Sequence, residues 1–321
     1  MAGNALEGQR LLAGEQRHRN GIIKPCTHRF LMIPDFPTAA LPDTFAMHEG
    51  ELIALQMRAA RALGLPDPHF RDDLPDGTPA PALLVVPAGT FEYGAAAEEN
   101  APAQERPRRT ALIERSFAMG VYPVTTEEFE AYARATGWQR RTELLWLSGR
   151  KPVVNVRQSD ARDYCAWLSR QTGQRYRLPT EQEWEYAYRA GAASAYPQGN
   201  RITPAEAHYN TRQDFDAGRA RRPRLLSRCF VRCGAMEVGK LRPNRWGLHD
   251  MPGNVWEYTA SPWTRDHASL PERPLPGKPQ AVVAKGGSWF DGPEDSRGAA
   301  RRRRLENELD INLGFRVARD V

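Results

Sequence analysis

Two segments rich in glycine and tryptophan, near the C-terminus, constrain this fold more than any other part of the chain. They are WGLHDMPGNVWEY, residues 246–258, and KGGSWFDGPEDSRGAARRRRLENELDINLGFRVARD, residues 285–320. Neither has the residue periodicity of a regular helix or strand. Glycine permits the positive φ angles of sharp turns, and large aromatic side chains bury area where no ladder pairs the backbone. The pattern predicts packed loops that together form a functional surface.

Cysteine content and hydropathy indicate a protein of the cytoplasm. Four cysteines in 321 residues are too few for a disulfide-rich secreted scaffold. Residues 1–21 contain no apolar core of a secretory signal, and no apolar run reaches the length of a membrane span. We therefore expect a cytoplasmic protein that has no membrane partner.

Arginine is clustered in a chain whose formal net charge is +6. One cluster lies within residues 219–232 and the other is Arg301–Arg304. Such clusters attract an acidic partner or form a solvated surface, and the sequence leaves both interpretations open.

Residues 1–82 predict an N-terminal extension that is separate from the main domain, residues 83–321. Apolar residues at helical spacing predict one helix over residues 43–63, ended by Gly64. The proline-rich residues 65–81 predict a linker between the two parts.

The main domain shows signals for both strands and helices. LLVVPAGTFEYG, residues 83–94, is typical of a hairpin with Pro-Ala-Gly as its turn. Residues 111–121 and 152–156 predict two further strands. Three helix starts are also predicted, which gives an α+β fold with long loops packed at one end. They are two capping boxes, Thr125 with Glu128 and Thr180 with Glu183, and a cap at Ser159.

Seven segments in chain order carry a family resemblance. They are VPAGTFEYG, FAMGVYPVTTEEFEAYARATG, KPVVNVRQSDARDYCAWLSRQTG, RYRLPTEQEWEYAYRAG, NRWGLHDMPGNVWEYTASPW, KGGSWFDGPEDSRGAARRR and NLGFRVARD. Over residues 83–321 the chain resembles the sulfatase-modifying-factor family, the family of the formylglycine-generating enzyme. The resemblance implies a C-type-lectin-like fold, low in regular secondary structure, with a ligand groove built from the C-terminal loops.

The catalytic copper site of that family is not matched. The family enzyme oxidises a substrate cysteine with copper held by two cysteine thiolates, and soft thiolates are the ligands that Cu(I) prefers. The matching positions here are Asp291 and Ser296. We therefore expect no copper-thiolate site and no formylglycine generation.

The family also includes iron-dependent sulfoxide synthases, whose three-histidine site lies in a separate helical domain. No two of the seven histidines here are spaced by four residues. His48, followed by Glu49, is the nearest candidate, and an exposed polar pair explains it more simply. An iron site built from other residues stays open.

The resemblance implies a structural calcium site in the first glycine-rich segment. Asp250 and Glu257 would supply carboxylates, and Gly253 and Val255 would supply backbone carbonyls, a set of hard oxygen ligands that suits calcium. The alternative is that the same groups close the turn without a metal.

The remaining side chains of the groove favour recognition over catalysis. They include indoles, hydroxyls, an amide and guanidinium groups, but no histidine base, thiol or complete metal triad. We predict a module that binds a peptide, a protein or a small anionic ligand. The alternative is a metal-dependent oxidoreductase acting on a thiol, a peptide or a small substrate derived from an amino acid. The predicted ligand-binding residues are Trp256, Ser288, Trp289, Asp291, Ser296, Arg297, Arg301 and Asn312.

Overall fold

Helices and short strands alternate along the computed structural model, which describes residues 41–140, 147–213 and 234–321. This mixture confirms the predicted α+β class. The helices are α1 (Glu49–Ala62), α2 (Thr126–Thr136), α3 (Gln158–Thr172) and α4 (Glu181–Arg189). The strands are β1 (His69–Phe70), β2 (Leu83–Val86), β3 (Gly89–Tyr93), β4 (Arg109–Ile113), β5 (Phe117–Gly120), β6 (Tyr176–Arg177), β7 (Trp256–Pro262), β8 (Ala281–Lys285), β9 (Arg301–Leu305), β10 (Leu313–Phe315) and β11 (Ala318–Asp320).

Both predicted capping boxes are present. The Thr125 hydroxyl accepts the N–H of Glu128, and the Glu128 carboxylate accepts the N–H of Thr125 at 2.8 Å. Thr180 and Glu183 repeat this arrangement at the start of α4, also at 2.8 Å. Each box satisfies two backbone donors that have no partner within the helix.

Two other predicted helix starts are wrong. Helix α1 begins at Glu49 and not at residue 43, because Ala46 has a positive φ of 56° that interrupts the helical backbone before it. Helix α3 begins at Gln158, one residue before the predicted cap Ser159. The N–H of Arg157 is instead satisfied by the carboxylate of Asp160 at 2.9 Å.

The strands that flank Pro87 do not form the predicted hairpin. Strand β2 pairs with β1 and β5, whereas β3 pairs with β4 in a separate two-stranded sheet. All four residues of β2 are buried, as is typical of a strand that is covered on both faces. Residues 111–121 divide between β4 and β5, and residues 152–156 make only a single bridge, from Pro152 to Thr125.

Regular strands run through the C-terminal segments, so the prediction that these segments are irregular is wrong. Strand β7 begins in the first segment, and β9, β10 and β11 lie in the second. A four-stranded sheet has the order β10-β7-β8-β9, and β11 joins a five-stranded sheet of order β1-β2-β5-β11-β6. The run of four arginines in β9 hides the alternation of a strand, because every one of its side chains is charged.

Glycines bring the two C-terminal segments together. The Gly253 N–H donates to the Gly286 carbonyl at 2.7 Å. Gly286 and Gly287 have φ angles of 103° and 73°, which disfavour any other residue. A Cβ on Gly287 would lie 2.5 Å from the Ser296 Oγ, so the turn and residue 296 are in close contact.

Residues 41–82 pack with the main domain. Leu41–Val321 is one compact unit, and the Gln56 amide of α1 donates to the Val85 carbonyl at 2.9 Å. Residues 1–40 of the predicted extension lie outside the described residues, and the boundary between residues 82 and 83 stays a prediction. No helix among the described residues is both long and apolar enough to cross a membrane.

Candidate functional site

Asp291 is the centre of a hydrogen-bonded cluster in the C-terminal loops. Trp256 Nε1 donates to Asp291 Oδ2 at 2.8 Å, and the Ser288 hydroxyl makes a short hydrogen bond to the same oxygen. Arg302 Nη1 donates to the other oxygen, Oδ1, at 2.9 Å. The Asn312 amide lies 3.0 Å from Ser288 Oγ. We call these five residues the loop site; three of them, Trp256, Ser288 and Arg302, satisfy both oxygens of the carboxylate.

The loop site has a buried floor, formed by Trp256 and Asp291, and a partly exposed cover, formed by Arg302. Trp256 and Asp291 are buried, whereas the side chain of Arg302 is 33% exposed. The Arg302 Cζ atom lies 4.5 Å from the centroid of a Trp256 ring. The guanidinium therefore covers the indole and the carboxylate together, with a cation–π contact on one side and an ion pair on the other.

Backbone pairing fixes the floor of the loop site. Strand β10 runs parallel to β7 with Leu313 opposite Trp256, and the Trp256 N–H donates to the Asn312 carbonyl at 2.8 Å. The Asp291 N–H donates to the Ser288 carbonyl at 3.1 Å, which closes a tight turn after the two glycines. The side chains of Trp256, Asn312, Ser288 and Asp291 meet because these two hydrogen bonds hold their backbones.

Arg302 is the residue of the loop site that the sequence prediction missed. Strand β9 places successive side chains on opposite faces, so Arg302 and Arg304 share one face of the strand. The alternation of side chains between the two faces of a strand was the available signal. Because residues 301–304 are all arginine, the sequence does not show which of the two faces enters the site.

Two predicted ligand-binding arginines lie elsewhere. Arg297 Nη1 contacts the Glu105 carboxylate at 2.6 Å, and Arg301 Nη2 contacts the Glu181 carboxylate at 2.8 Å. Arg297 and Arg301 are buried, and both pairs join residues distant in sequence. Their contacts stabilise the fold and do not extend the loop site.

The arginine cluster at residues 301–304 is largely neutralised within the chain. Besides the pairs of Arg301 and Arg302, Arg303 contacts Glu272 at 3.0 Å and Arg304 contacts Glu308 at 2.6 Å. These ion pairs reduce the charge that the cluster offers to an acidic partner. The other cluster, within residues 219–232, lies outside the described residues, and binding of an acidic partner stays a prediction.

Ser296 and Trp289 are near the turn but outside the hydrogen-bonded cluster. Ser296 is fully buried, and its Oγ has no hydrogen-bond partner among the described residues. Trp289 packs against a small apolar cluster that includes Val154 and Val255. The next residue, Phe290, is 58% exposed, and its ring centroid lies 5.6 Å from that of Trp289.

The donors at the two positions matched to cysteine do not fit Cu(I). The carboxylate of Asp291 is a hard ligand that already has three hydrogen-bond donors, and the hydroxyl of Ser296 is neutral and buried. Within the described ranges, no three or more histidine, cysteine, aspartate or glutamate residues form a group that could hold a metal ion.

One of the two predicted calcium carboxylates has an unpartnered oxygen. Asp250 Oδ2 accepts the Gly239 N–H at 2.7 Å, whereas Oδ1 is buried with no hydrogen-bond partner in the described part of the chain. Burial raises the pKa of Asp250 to about 6, although the Gly239 N–H and the charge of Arg316 act in the opposite direction. An oxygen of this kind fits a cation as its missing partner.

The second predicted calcium carboxylate already has a counter-charge. Arg316 Nε and Nη2 donate to the two Glu257 oxygens at 3.1 and 2.9 Å, and Trp184 Nε1 donates to one of them at 2.7 Å. All three side chains are buried. Glu257 would therefore have to share its charge between Arg316 and a calcium ion.

Comparison with known proteins identifies the relatives of this chain. A family model described as the sulfatase-modifying factor enzyme 1-like domain matches residues 71–321. Formylglycine-generating enzyme from Bos taurus is 28% identical over 314 residues, covering 77% of this chain and 77% of that protein. A Mus musculus protein named inactive C-alpha-formylglycine-generating enzyme 2 is 30% identical, covering 74% and 85%. The structure of PvdO from Pseudomonas aeruginosa has a TM-score of 0.64 at 29% identity, over 79% of this chain and 98% of PvdO, and confirms the predicted fold.

Proposed function

This chain belongs to the sulfatase-modifying factor enzyme 1-like family. We propose that it binds a peptide or protein ligand at the loop site and that it does not generate formylglycine. The observation that carries this proposal is the hydrogen bonding of the Asp291 carboxylate. Its carboxylate stands at a position matched to a copper-binding cysteine, and Trp256, Ser288 and Arg302 occupy both of its oxygens. These groups include no soft ligand for Cu(I), whereas indole, hydroxyl, carboxylate and guanidinium groups are of the kinds that fix the orientation of a ligand in a binding site.

An exposed aromatic residue beside the loop site supports binding of a peptide or a protein. Phe290 lies between Trp289 and Asp291, and the Asn210 amide donates to its carbonyl at 3.1 Å. The Phe290 N–H contacts Ser288 Oγ at 3.2 Å, so the exposed ring is attached to a backbone held on both sides. Aromatic side chains held in this way contribute much of the energy of many protein interfaces.

Replacing Phe290 by serine is expected to weaken the binding of peptides selected on the wild-type protein by about tenfold or more. The reason is the loss of an exposed ring next to the loop site, with little effect on the core. Peptides would be selected from a random library on the immobilised full chain. Their affinities for wild type and Phe290→Ser would then be compared by fluorescence anisotropy.

The matched control is Leu270→Ser, which changes a residue that is 86% exposed in the segment between β7 and β8. This control is expected to bind the selected peptides as wild type does. Selection of no peptide above background, or equal affinity of Phe290→Ser and wild type, would contradict the proposal. The alternative, a metal-dependent oxidoreductase of iron or another metal, stays a prediction that oxygen consumption distinguishes.

We propose further that Asp250 holds a structural calcium ion together with the carbonyls of Gly253 and Val255, while Glu257 supplies a shared carboxylate. The unpartnered Oδ1 of Asp250 supports this site. A bound calcium would supply positive charge to a buried carboxylate and hold residues 250–255, which lead into β7.

Without calcium, the charge of Asp250 is expected to destabilise the fold as the pH rises. Its folded pKa of about 6 exceeds the unfolded value of about 3.9. The stabilisation by the neutral acid is therefore fully present below about pH 4 and is lost as the pH rises through 6. In chelator at pH 7, Asp250→Asn should exceed wild type in free energy of unfolding by about 2–3 kcal/mol. Urea unfolding from pH 4 to 7 measures this difference.

Calcium should reverse the order of stability of wild type and Asp250→Asn. Added calcium is expected to raise the melting temperature of wild type at pH 7 and to leave that of Asp250→Asn unchanged. Magnesium, which prefers a smaller octahedral site, serves as the control ion. Equal responses of both proteins to calcium would exclude Asp250 as a ligand.

A further inference from the structure

We propose that the loop site accepts a cationic group of its ligand, a guanidinium or an alkylammonium, in the position that Arg302 now fills. This inference rests on the proposed binding function and names the chemistry of the ligand at that site. The Arg302 head group then acts as an internal substitute for the ligand, and binding replaces one cation by another.

The contacts of Arg302 are those of a bound cationic ligand. Its guanidinium donates to Asp291 Oδ1 at 2.9 Å and lies over the Trp256 indole at 4.5 Å. A buried carboxylate and an indole face are the two groups by which proteins recognise guanidinium and ammonium ions. Because one third of the Arg302 side chain is exposed, the head group can exchange into solvent without passing through the core.

The walls that contact Arg302 are held independently of it. Trp256 Nε1 and the Ser288 hydroxyl both donate to Asp291 Oδ2, which leaves only Oδ1 for the cation. The Trp256 backbone is fixed by the Asn312 carbonyl at 2.8 Å. A site whose walls remain in place after the cation leaves is preorganised for a second cation.

The charges beside Arg302 favour a positive ligand. Arg302 Nη2 lies 3.4 Å from the Asp295 carboxylate, and Glu294 precedes Asp295 in the same short 3₁₀ turn. The Arg302 guanidinium thus contacts two carboxylates, those of Asp291 and Asp295, and the third acidic residue, Glu294, adjoins Asp295 in sequence. Arg297 is close to Asp295 but is engaged by two carboxylates of its own, Glu99 and Glu105. Among the described residues this excess of negative charge opposes the small anionic ligand that the sequence suggested.

Competition by Arg302 determines how tightly a cationic ligand binds. The free protein must first release its own guanidinium, so the affinity of wild type is reduced by the fraction of time for which the site is open. Shortening Arg302 removes this competition, whereas neutralising Asp291 removes the attraction. The two changes are therefore expected to act in opposite directions on the same ligand.

The experiment uses capped arginine, Nα-acetyl-arginine methylamide, as the probe and the full chain as the receptor. Arg302→Ala is expected to bind the probe about tenfold or more tighter than wild type, measured by isothermal titration calorimetry. Arg302→Gln, which keeps much of the side-chain volume, should also bind more tightly. Addition of Asp291→Asn to Arg302→Ala should abolish the gain. Capped citrulline, which has the same shape without the charge, should not bind.

Arg303→Ala is the matched control, because Arg303 is the next residue of the strand and contacts the exposed Glu272. It should bind the probe as wild type does. Wild type itself must bind, with a shift of the Arg302 Nε signal in ¹⁵N NMR spectra. If wild type fails to bind the probe at a probe concentration one hundred times the dissociation constant of Arg302→Ala, Arg302 closes the site permanently and the inference is overturned. Equal affinity of wild type and Arg302→Ala overturns it too.

The outcome separates this inference from the function on which it rests. If selected peptides bind in a manner that depends on Phe290 but carry no cationic group, the proposed function stands and the cation site is rejected. If capped arginine binds through Asp291 while no selected peptide binds, the cation site stands and the proposal of a peptide or protein ligand is rejected.

Discussion

Replacing Arg316 by methionine is expected to lower the free energy of unfolding by about 3–5 kcal/mol, because the change removes one member of a buried ion pair. The guanidinium contacts both oxygens of Glu257 and donates to the carbonyls of Gly120, Val121 and His249 at 2.8–2.9 Å. Methionine matches much of the volume but donates no hydrogen bond. It leaves the buried Glu257 carboxylate without its counter-charge, although Trp184 Nε1 still donates to it, and it removes one donor from each of the three carbonyls.

Urea unfolding in the presence of a calcium chelator measures this loss. Arg303→Met is the control, since its ion pair with Glu272 is exposed and should contribute less than about 1 kcal/mol. The double variant Arg316→Met/Glu257→Leu should recover part of the stability, because it removes the unpaired charge as well. A loss of less than about 1 kcal/mol in Arg316→Met would show that Glu257 is not held as described.

Introducing cysteine at both exchanged positions is expected to create a Cu(I) site. The variant Asp291→Cys/Ser296→Cys should bind Cu(I) roughly a thousandfold more tightly than the parent, because two thiolates replace a carboxylate and a hydroxyl. Ser296 lies against the Gly287 turn, and the same turn leads to Asp291. Both substitutions therefore fall on one loop of the loop site.

Competition with a chromophoric Cu(I) chelator measures the affinity. Parent and variant should both carry Cys229→Ser and Cys233→Ser, so that these two native thiols, which lie outside the described residues, do not contribute to the measured Cu(I) affinity. The two single variants, each with one new thiol, serve as controls and should bind weakly. Equal competition by the parent and the double variant would mean that the two positions do not face one metal.

The sequence predicted the two capping boxes, whose residues are close along the chain, but not the pairing of distant strands. Thr125 with Glu128 is a local signal, because the residues that form the capping box are three apart, and it is present. The hairpin predicted across Pro87 is wrong because the partner of β2 is β5, about thirty residues further along the chain. No pattern within residues 83–94 predicts which strand pairs with β2.

The contacts of the candidate site are also long-range, and the sequence predicted only part of them. Asp291 is a candidate because the family resemblance matches its position to a copper-binding cysteine, and the structure places it beside Trp256 and Ser288. Arg301 was predicted to contact the ligand but pairs with Glu181, whereas its neighbour Arg302 enters the site. A shift of one residue along a strand reverses the face, and four consecutive arginines conceal that shift.

Oxygen consumption is the most direct test of whether this chain has lost the copper-thiolate chemistry of its family. The purified wild-type chain would be supplied with Cu(I), or separately with Fe(II), and a cysteine-containing peptide, while dissolved oxygen and bound metal are measured. We expect no oxygen consumption above that of the metal and peptide alone, and no change in Asp291→Ala. Stoichiometric copper or iron, with oxygen consumption that Asp291→Ala abolishes, would contradict the proposed function.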